Sequence, residues 1–153
     1  YPTEKSVRAM AKTCIKRLKI LDNKELVEAI AVKYTDAAKQ ICLYAMMKQY
    51  RLVWDFMINV IGEKYRLKDY NFGQMDVNIF LIQLQEQNDY VAGWSDATIK
   101  RIRQVLIRIL IENGYLDDNK ADHINPVWID PLLENAIQNK GDIRALTAFN
   151  CFS

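Results

Sequence analysis

The sequence predicts an all-α fold: a compact bundle of about seven or eight helices, with a small β-hairpin in a winged-helix-like position after residue 114. Three observations point there. Five glycines and three prolines among 153 residues are too few for turn-rich β structure. Apolar residues recur at three- and four-residue steps along most of the chain, the spacing of one buried helix face. Residues that cap and stop helices stand at the ends of those stretches. The length is that of one domain, read as a single compact unit over residues 1–153. Within it, residues 1–70 form a basic helical half, and residues 71–153 a helix-turn-helix-like half with the short hairpin.

Thr3 caps a first helix to residue 21, with Val7, Met10, Ala11, Cys14, Ile15 and Leu18 on its inner face. Asp22 and Glu25 make a capping box that opens a short helix over residues 23–32. Thr35 caps a third, ending at residue 49 and apolar nearly all round (Ala37, Ala38, Ile41, Cys42, Ala45, Met46), so it is expected at the centre. A fourth carries Val53, Phe56, Met57, Val60 and Ile61 on one face. No Pro or Gly separates it from the third, which leaves a continuous helix or a kink near Tyr50. "KDYNFGQ" reads as a loop, residues 75–87 as a helix with Val77, Phe80, Leu81 and Leu84 inward, and "NDYVAGW" as another loop. Ser95 caps the next helix and Gly114 stops it. Tyr115 and Leu116 are expected to pair with residues 123–127 as the hairpin. Asp130 before Pro131 is a helix start, cap then first-turn proline, and Asp142 begins a last short helix.

Charge is unevenly placed. The net of +2 resolves into +6 over residues 1–70, −3 over 71–95, +2 over 96–113 and −3 over 114–153. A basic half facing a polyanion is one consequence of such a split. Catalytic chemistry has little to stand on: His123 is the only histidine, Ser6, Ser95 and Ser153 are the only serines, and no G-x-S-x-G, P-loop, H-E-x-x-H or C-x-x-C occurs. No enzyme activity, cofactor, metal or small-molecule substrate is expected. Asp117, Asp118, Asp122 and Asp130 lack the spacing of a calcium loop and read as a solvated acidic turn. The odd set Cys14, Cys42 and Cys151 has no metal spacing and reads as reduced thiols of a cytosolic protein. Uncharged runs such as residues 77–85 fall far short of the roughly 20 apolar residues that cross a membrane. The chain begins at Tyr1 rather than Met, so part of a natural N-terminus is expected to be missing.

Two basic faces stand out. Lys5, Arg8, Lys12, Lys16 and Lys19 fall within an arc of about 80° on the first helix, with no acid between them. Five like charges on one ridge repel one another, and an anionic partner relieves that repulsion. On the helix after Ser95, Ile99, Ile102, Val105, Leu106, Ile109 and Leu110 share a face. Arg101, Gln104, Arg108 and Glu112 form a separate row, with Lys100 and Arg103 beyond it. Ile107 and Ile111 interrupt the polar side only in the second half. The first half is therefore expected in solvent and the second in the core, as a recognition helix sits. The following turn argues against sequence reading, because Asp117, Asp118 and Asp122 outnumber Lys120 and repel phosphate.

The segments "KSVRAMAKTCIKRLKIL", "YRLVWDFMINVIGEKY" and "WSDATIKRIRQVLIRILIENGYL…INP" resemble the BrxA family of bacteriophage-exclusion (BREX) defence systems. The likeness runs from about residue 5 to 149 and rests on Arg8, Arg17-Leu18, Trp54-Asp55-Phe56 and the block from Thr98 to Leu116 with its Asn-Gly stop. What the resemblance implies is a nearly all-helical, intracellular protein without known enzymatic activity. It also implies a link to DNA binding, and a fold compared with that of an RNA-binding transcription antitermination factor. The family has a further N-terminal segment ahead of the first basic helix, and an inner-membrane label for some members runs against the hydropathy here. The expectation is a cytoplasmic DNA-binding component of phage defence. Lys5, Arg8, Lys12, Lys16 and Lys19 hold the phosphate backbone, and Arg101, Gln104 and Arg108 form a second contact. RNA in place of DNA stays open, and other BREX proteins are expected partners. The competing expectation is an adaptor that docks on larger defence enzymes through the acidic residues 71–95, or through Trp94 and Trp128.

Overall fold

Where the chain passes Tyr50, the backbone turns extended (φ −117°, ψ 111°), so the two apolar stretches on either side form separate helices. The computed structural model describes residues 36–152. The expected helices over residues 3–21 and 23–32, and the Thr35 cap, lie outside the described residues. Two compact units are formed, one from residues 70–125 and the other from residues 36–69 together with 126–152.

In the second of these units, α1 (Asp36–Gln49) precedes the bend. Ile41, Leu43, Tyr44, Ala45 and Met47 are all buried, as a helix apolar on nearly every side must be. Beyond Tyr50, α2 (Arg51–Phe56) runs into a π-helical segment (Met57–Gly62) and then α3 (Glu63–Arg66) without a break. Val53, Phe56, Met57, Ile61 and Tyr65 line its buried side. The chain returns as α7 (Pro131–Lys140) and α8 (Ile143–Thr147). Asp130 caps α7 by accepting from the Leu132 amide at 2.9 Å, with Pro131 in the first turn where its missing N–H costs nothing.

Polar side chains fasten this return. Gln40 donates to the Trp128 carbonyl at 2.7 Å and accepts from the Asp130 amide at 2.8 Å, so one amide holds both edges of the segment before α7. Asp142 accepts from the Tyr44 hydroxyl and from Lys48 Nζ at 2.7 Å. Burial pushes the Asp142 pKa up, but these two donors outweigh it and the carboxyl rests below its ordinary value. Burial, with the bond to that carboxylate, drives the Tyr44 hydroxyl upward. Gly62 meets α8 closely: a Cβ there would lie 2.5 Å from Thr147 Oγ1. Cys42, expected reduced, is disulfide-bonded. Cys151 is free and donates to Glu134 at 3.2 Å; burial and that carboxylate push its thiol up to about 11.

The unit of residues 70–125 holds α4 (Gln74–Gln87), α5 (Asp89–Ala92) and α6 (Asp96–Glu112). The Gly73 amide donates to Asp76 at 2.9 Å, which closes the first turn of α4. The loop expected at 88–94 contains α5, because Asn88 accepts from the Tyr90 amide at 2.9 Å and the Val91 amide at 3.3 Å and so starts a helical turn. Ser95 caps α6 through the Thr98 amide at 3.2 Å, and Gly114 ends it in the left-handed conformation (φ 79°). The buried side of the unit includes Val77, Phe80, Leu81, Val91, Leu106 and Leu110.

The β-hairpin after residue 114 does not form. Among the described residues no strand occurs. A lone antiparallel bridge pairs His123 with Asn71, flanked by Phe72 N to Asp122 O at 3.0 Å and Ile124 N to Tyr70 O at 2.8 Å. The expected first arm contributes one link, Asn125 N to Tyr115 O at 2.8 Å. Tyr115 and Leu116 are both buried and leave no alternating face to pair. Side chains also take backbone groups that a ladder needs: Asp118 accepts from the Lys120 amide at 2.8 Å, and Asn125 Nδ2 donates to the Gly114 carbonyl at 3.2 Å.

Candidate nucleic-acid interface

Lys5, Arg8, Lys12, Lys16 and Lys19 lie outside the described residues. The second basic face is described, and it is graded along α6. Lys100, Arg101 and Gln104 are exposed, while Ile99, Ile102 and Val105 beside them are half-buried. From Leu106 onward the helix sinks: Leu106, Ile107, Ile109 and Leu110 are buried and Arg108 is half-buried. The four isoleucine and leucine side chains of the second half anchor it, and the cations of the first half stand in water. Arg103 leaves the set, because its Nη1 donates to Asn78 Oδ1 at 2.9 Å and ties α6 to α4.

Asp96 occupies the first turn of α6, where it suits the positive end of the helix dipole but adds a negative charge beside Lys100 and Arg101. The turn that follows the helix is acidic and exposed at Asp117, Asp118 and Asp122. His123 Nδ1 lies 2.9 Å from Asp122 Oδ1 and Nε2 lies 3.8 Å from Asp117 Oδ2. The hydrogen bond to Asp122 is the main cause that raises the imidazole pKa, and the same bond lowers that of Asp122. Protonated, this histidine offsets one of its acidic neighbours rather than a phosphate.

Several further features lie outside α6. Trp128 is 80% exposed on the segment clamped by Gln40, whereas Trp94 is half-buried against Tyr90 in an edge-to-face contact at 6.1 Å. Met75, Ile79 and Ile82 form an exposed apolar row on α4, at 73%, 48% and 54%. In the other unit a cleft of about 330 Å³ is lined by the π-segment, α3 and α8, with Asn59, Glu63, Arg66, Arg144 and Thr147 around it. Arg66 pairs there with Glu63, with Nε donating to Oε2 at 3.0 Å. Arg144 was not legible as part of a site, since it stands alone in sequence. Among the described residues no helix is long and apolar enough to cross a membrane.

These features define a helical protein in which, among the described residues, the strongly amphipathic helix α6 carries its cations at the exposed end. The sequence profile of the BrxA family matches residues 1–141. The chain is 38% identical over 120 residues to the BREX protein BrxA of Bacillus cereus, covering 78% of this chain and 60% of the relative. It is 26% identical over 105 residues to the BREX protein BrxA of Paramagnetospirillum magneticum, covering 69% and 53%. The chain belongs to the BrxA family. It spans only a little over half the length of these two relatives.

Proposed function

We propose that the chain is a non-enzymatic, cytoplasmic DNA-binding component of a BREX phage-defence system, which holds the duplex mainly through its phosphate backbone and works beside other BREX proteins. The observation that carries this reading is the helical spacing of Lys5, Arg8, Lys12, Lys16 and Lys19 in the sequence, with no acid in that series. The relatives' shared designation as BREX proteins supports the setting. Arg101 and Gln104, exposed on the first half of α6, supply a second contact, with Arg108 at its inner edge. A helix-turn-helix-like use of α6, with Ser95 at its start, belongs to this reading. The acidic segment behind it makes backbone contact a better fit than base reading.

Fluorescence anisotropy on a labelled duplex across a salt series tests the proposal. About four or five neutralised phosphates give a log–log slope near −4. Single-stranded DNA and RNA of equal length, run beside the duplex, show which nucleic acid is preferred. No binding at low salt, or affinity indifferent to salt, refutes the reading.

A second reading, a protein adaptor docking on larger defence enzymes, draws on Trp128, whose exposed indole sits on a backbone pinned by Gln40. Exposed, rigidly held tryptophans are the usual anchors of interfaces. Co-elution with purified defence enzymes that is lost on Trp128→Ala, yet kept when the basic ridge is reversed, favours the adaptor.

A further inference from the structure

We propose that the cleft beside the π-segment is a binding site for a phosphate group. Three observations converge on it. A π-helical turn is rare, departs from the best backbone hydrogen-bond geometry and recurs at functional sites. Here the π-segment Met57–Gly62 supplies Ile58, Asn59 and Gly62 to one wall of the cleft. The absence of a side chain at Gly62 admits Thr147 to within what would be 2.5 Å of a Cβ. That approach brings Arg144, one turn earlier on α8, to the same cleft.

Its charges are unbalanced. Two guanidinium groups, Arg66 and Arg144, and one carboxylate, Glu63, line the cleft, and Glu63 is engaged by Arg66. Arg144 is exposed, and among the described residues neither its side chain nor the Asn59 amide has a hydrogen-bond or ion-pair partner. The donors left over are the Arg144 fork from α8 and the Asn59 amide from the π-segment, together with the N–H groups that Arg66 does not give to Glu63. A tetrahedral oxyanion accepts from several directions at once, and a guanidinium meets two of its oxygens side by side. A carboxylate, planar with two oxygens, satisfies fewer of these donors. Ile58 adds an apolar patch, and the volume of about 330 Å³ leaves room beyond a bare phosphate for a group that carries it. Two sources present that chemistry, a small phosphorylated molecule and the backbone of a nucleic acid. The site does not rest on Lys5 to Lys19: duplex affinity lost on Glu replacement of those residues but kept by Arg144→Gln separates the two readings.

Amide chemical-shift titrations of the full chain with inorganic phosphate, with ATP and with a short DNA duplex, at constant ionic strength, test it. The expected result is movement of amides in residues 58–66 and 143–147 with at least one of the three. Arg144→Gln should weaken that ligand about fivefold or more, as loss of a charge-assisted pair does. Asn59→Ala, on the π-segment, is expected to weaken the same ligand, and Arg51→Gln, an exposed arginine outside the cleft lining, to leave it unchanged. A response to the duplex alone assigns the site to backbone phosphate; a response to phosphate or ATP assigns it to a free ligand. No shift in these segments with any ligand at about 10 mM, or affinity that Arg144→Gln leaves within that margin, overturns the proposal.

Discussion

Asp142 shows how single residues fasten this fold across long stretches of chain. Its carboxylate accepts from Tyr44 and Lys48, which stand 98 and 94 residues away, and Lys48 also lies 5.5 Å from the Trp54 ring centroid. Asp142→Asn is expected to cost roughly 1–3 kcal/mol at neutral pH, the range for hydrogen bonds to charged groups, read from urea denaturation. The pKa of this carboxyl is lowered on folding, so its contribution is complete above the ordinary carboxylate pKa near 3.9 and fades as pH falls through the folded value. The gap between the wild-type chain and the variant should therefore close in acid; a gap that stays constant down to the acid limb refutes the assignment. Gly62 makes a second residue-scale case. An added Cβ would press on Thr147 Oγ1 and lie 3.3 Å from its backbone carbon. Gly62→Ala is expected to lose about 1–3 kcal/mol through overpacking, and Thr147→Ala to restore part of it. Full additivity in that double-mutant cycle would mean the two positions do not touch.

Elements were legible in proportion to how local their causes are. α6 could be bounded from sequence because Ser95 and Gly114 act on neighbouring backbone groups, and α7 because Asp130 and Pro131 do. Ser95→Ala is expected to destabilise the chain by about 0.5–2 kcal/mol, measured by thermal melting, since the Thr98 amide loses its acceptor. The bend at Tyr50 was foreseen only as one of two outcomes; no breaker residue marks it. α5 was missed because Asn88 reads equally as a loop residue and as a cap, and a four-residue helix has too few positions to show a period. The hairpin failed for a different reason. Tyr115, Leu116 and Ile124 are apolar enough for strands, but each is spent on burial, and the backbone of Ile124 bonds to Tyr70 instead.

At the scale of the whole molecule, the sequence divides charge unevenly, with a net of +6 over residues 1–70 and −3 over residues 71–95. Lys5, Arg8, Lys12, Lys16 and Lys19 recur at helical spacing with no acid in that series, which makes them the expected phosphate contacts. Replacing those five residues with glutamate is expected to abolish duplex binding while leaving the circular dichroism of the chain unchanged. Retained affinity would move nucleic-acid contact to α6 or remove it.

Helix class, the caps of α6 and α7, and the graded exposure of α6 followed from the sequence by itself, because each depends on groups within about a turn of one another. Tertiary structure alone decided that residues from 126 onward fold back into the unit of α1 to α3. It also decided that Gln40 pins the segment before α7, and that Arg144 joins Arg66 at one cleft. Contacts of that kind form between residues scores of positions apart. Nothing in the local pattern of either partner encodes the other, and only the burial of the shared apolar faces brings them together.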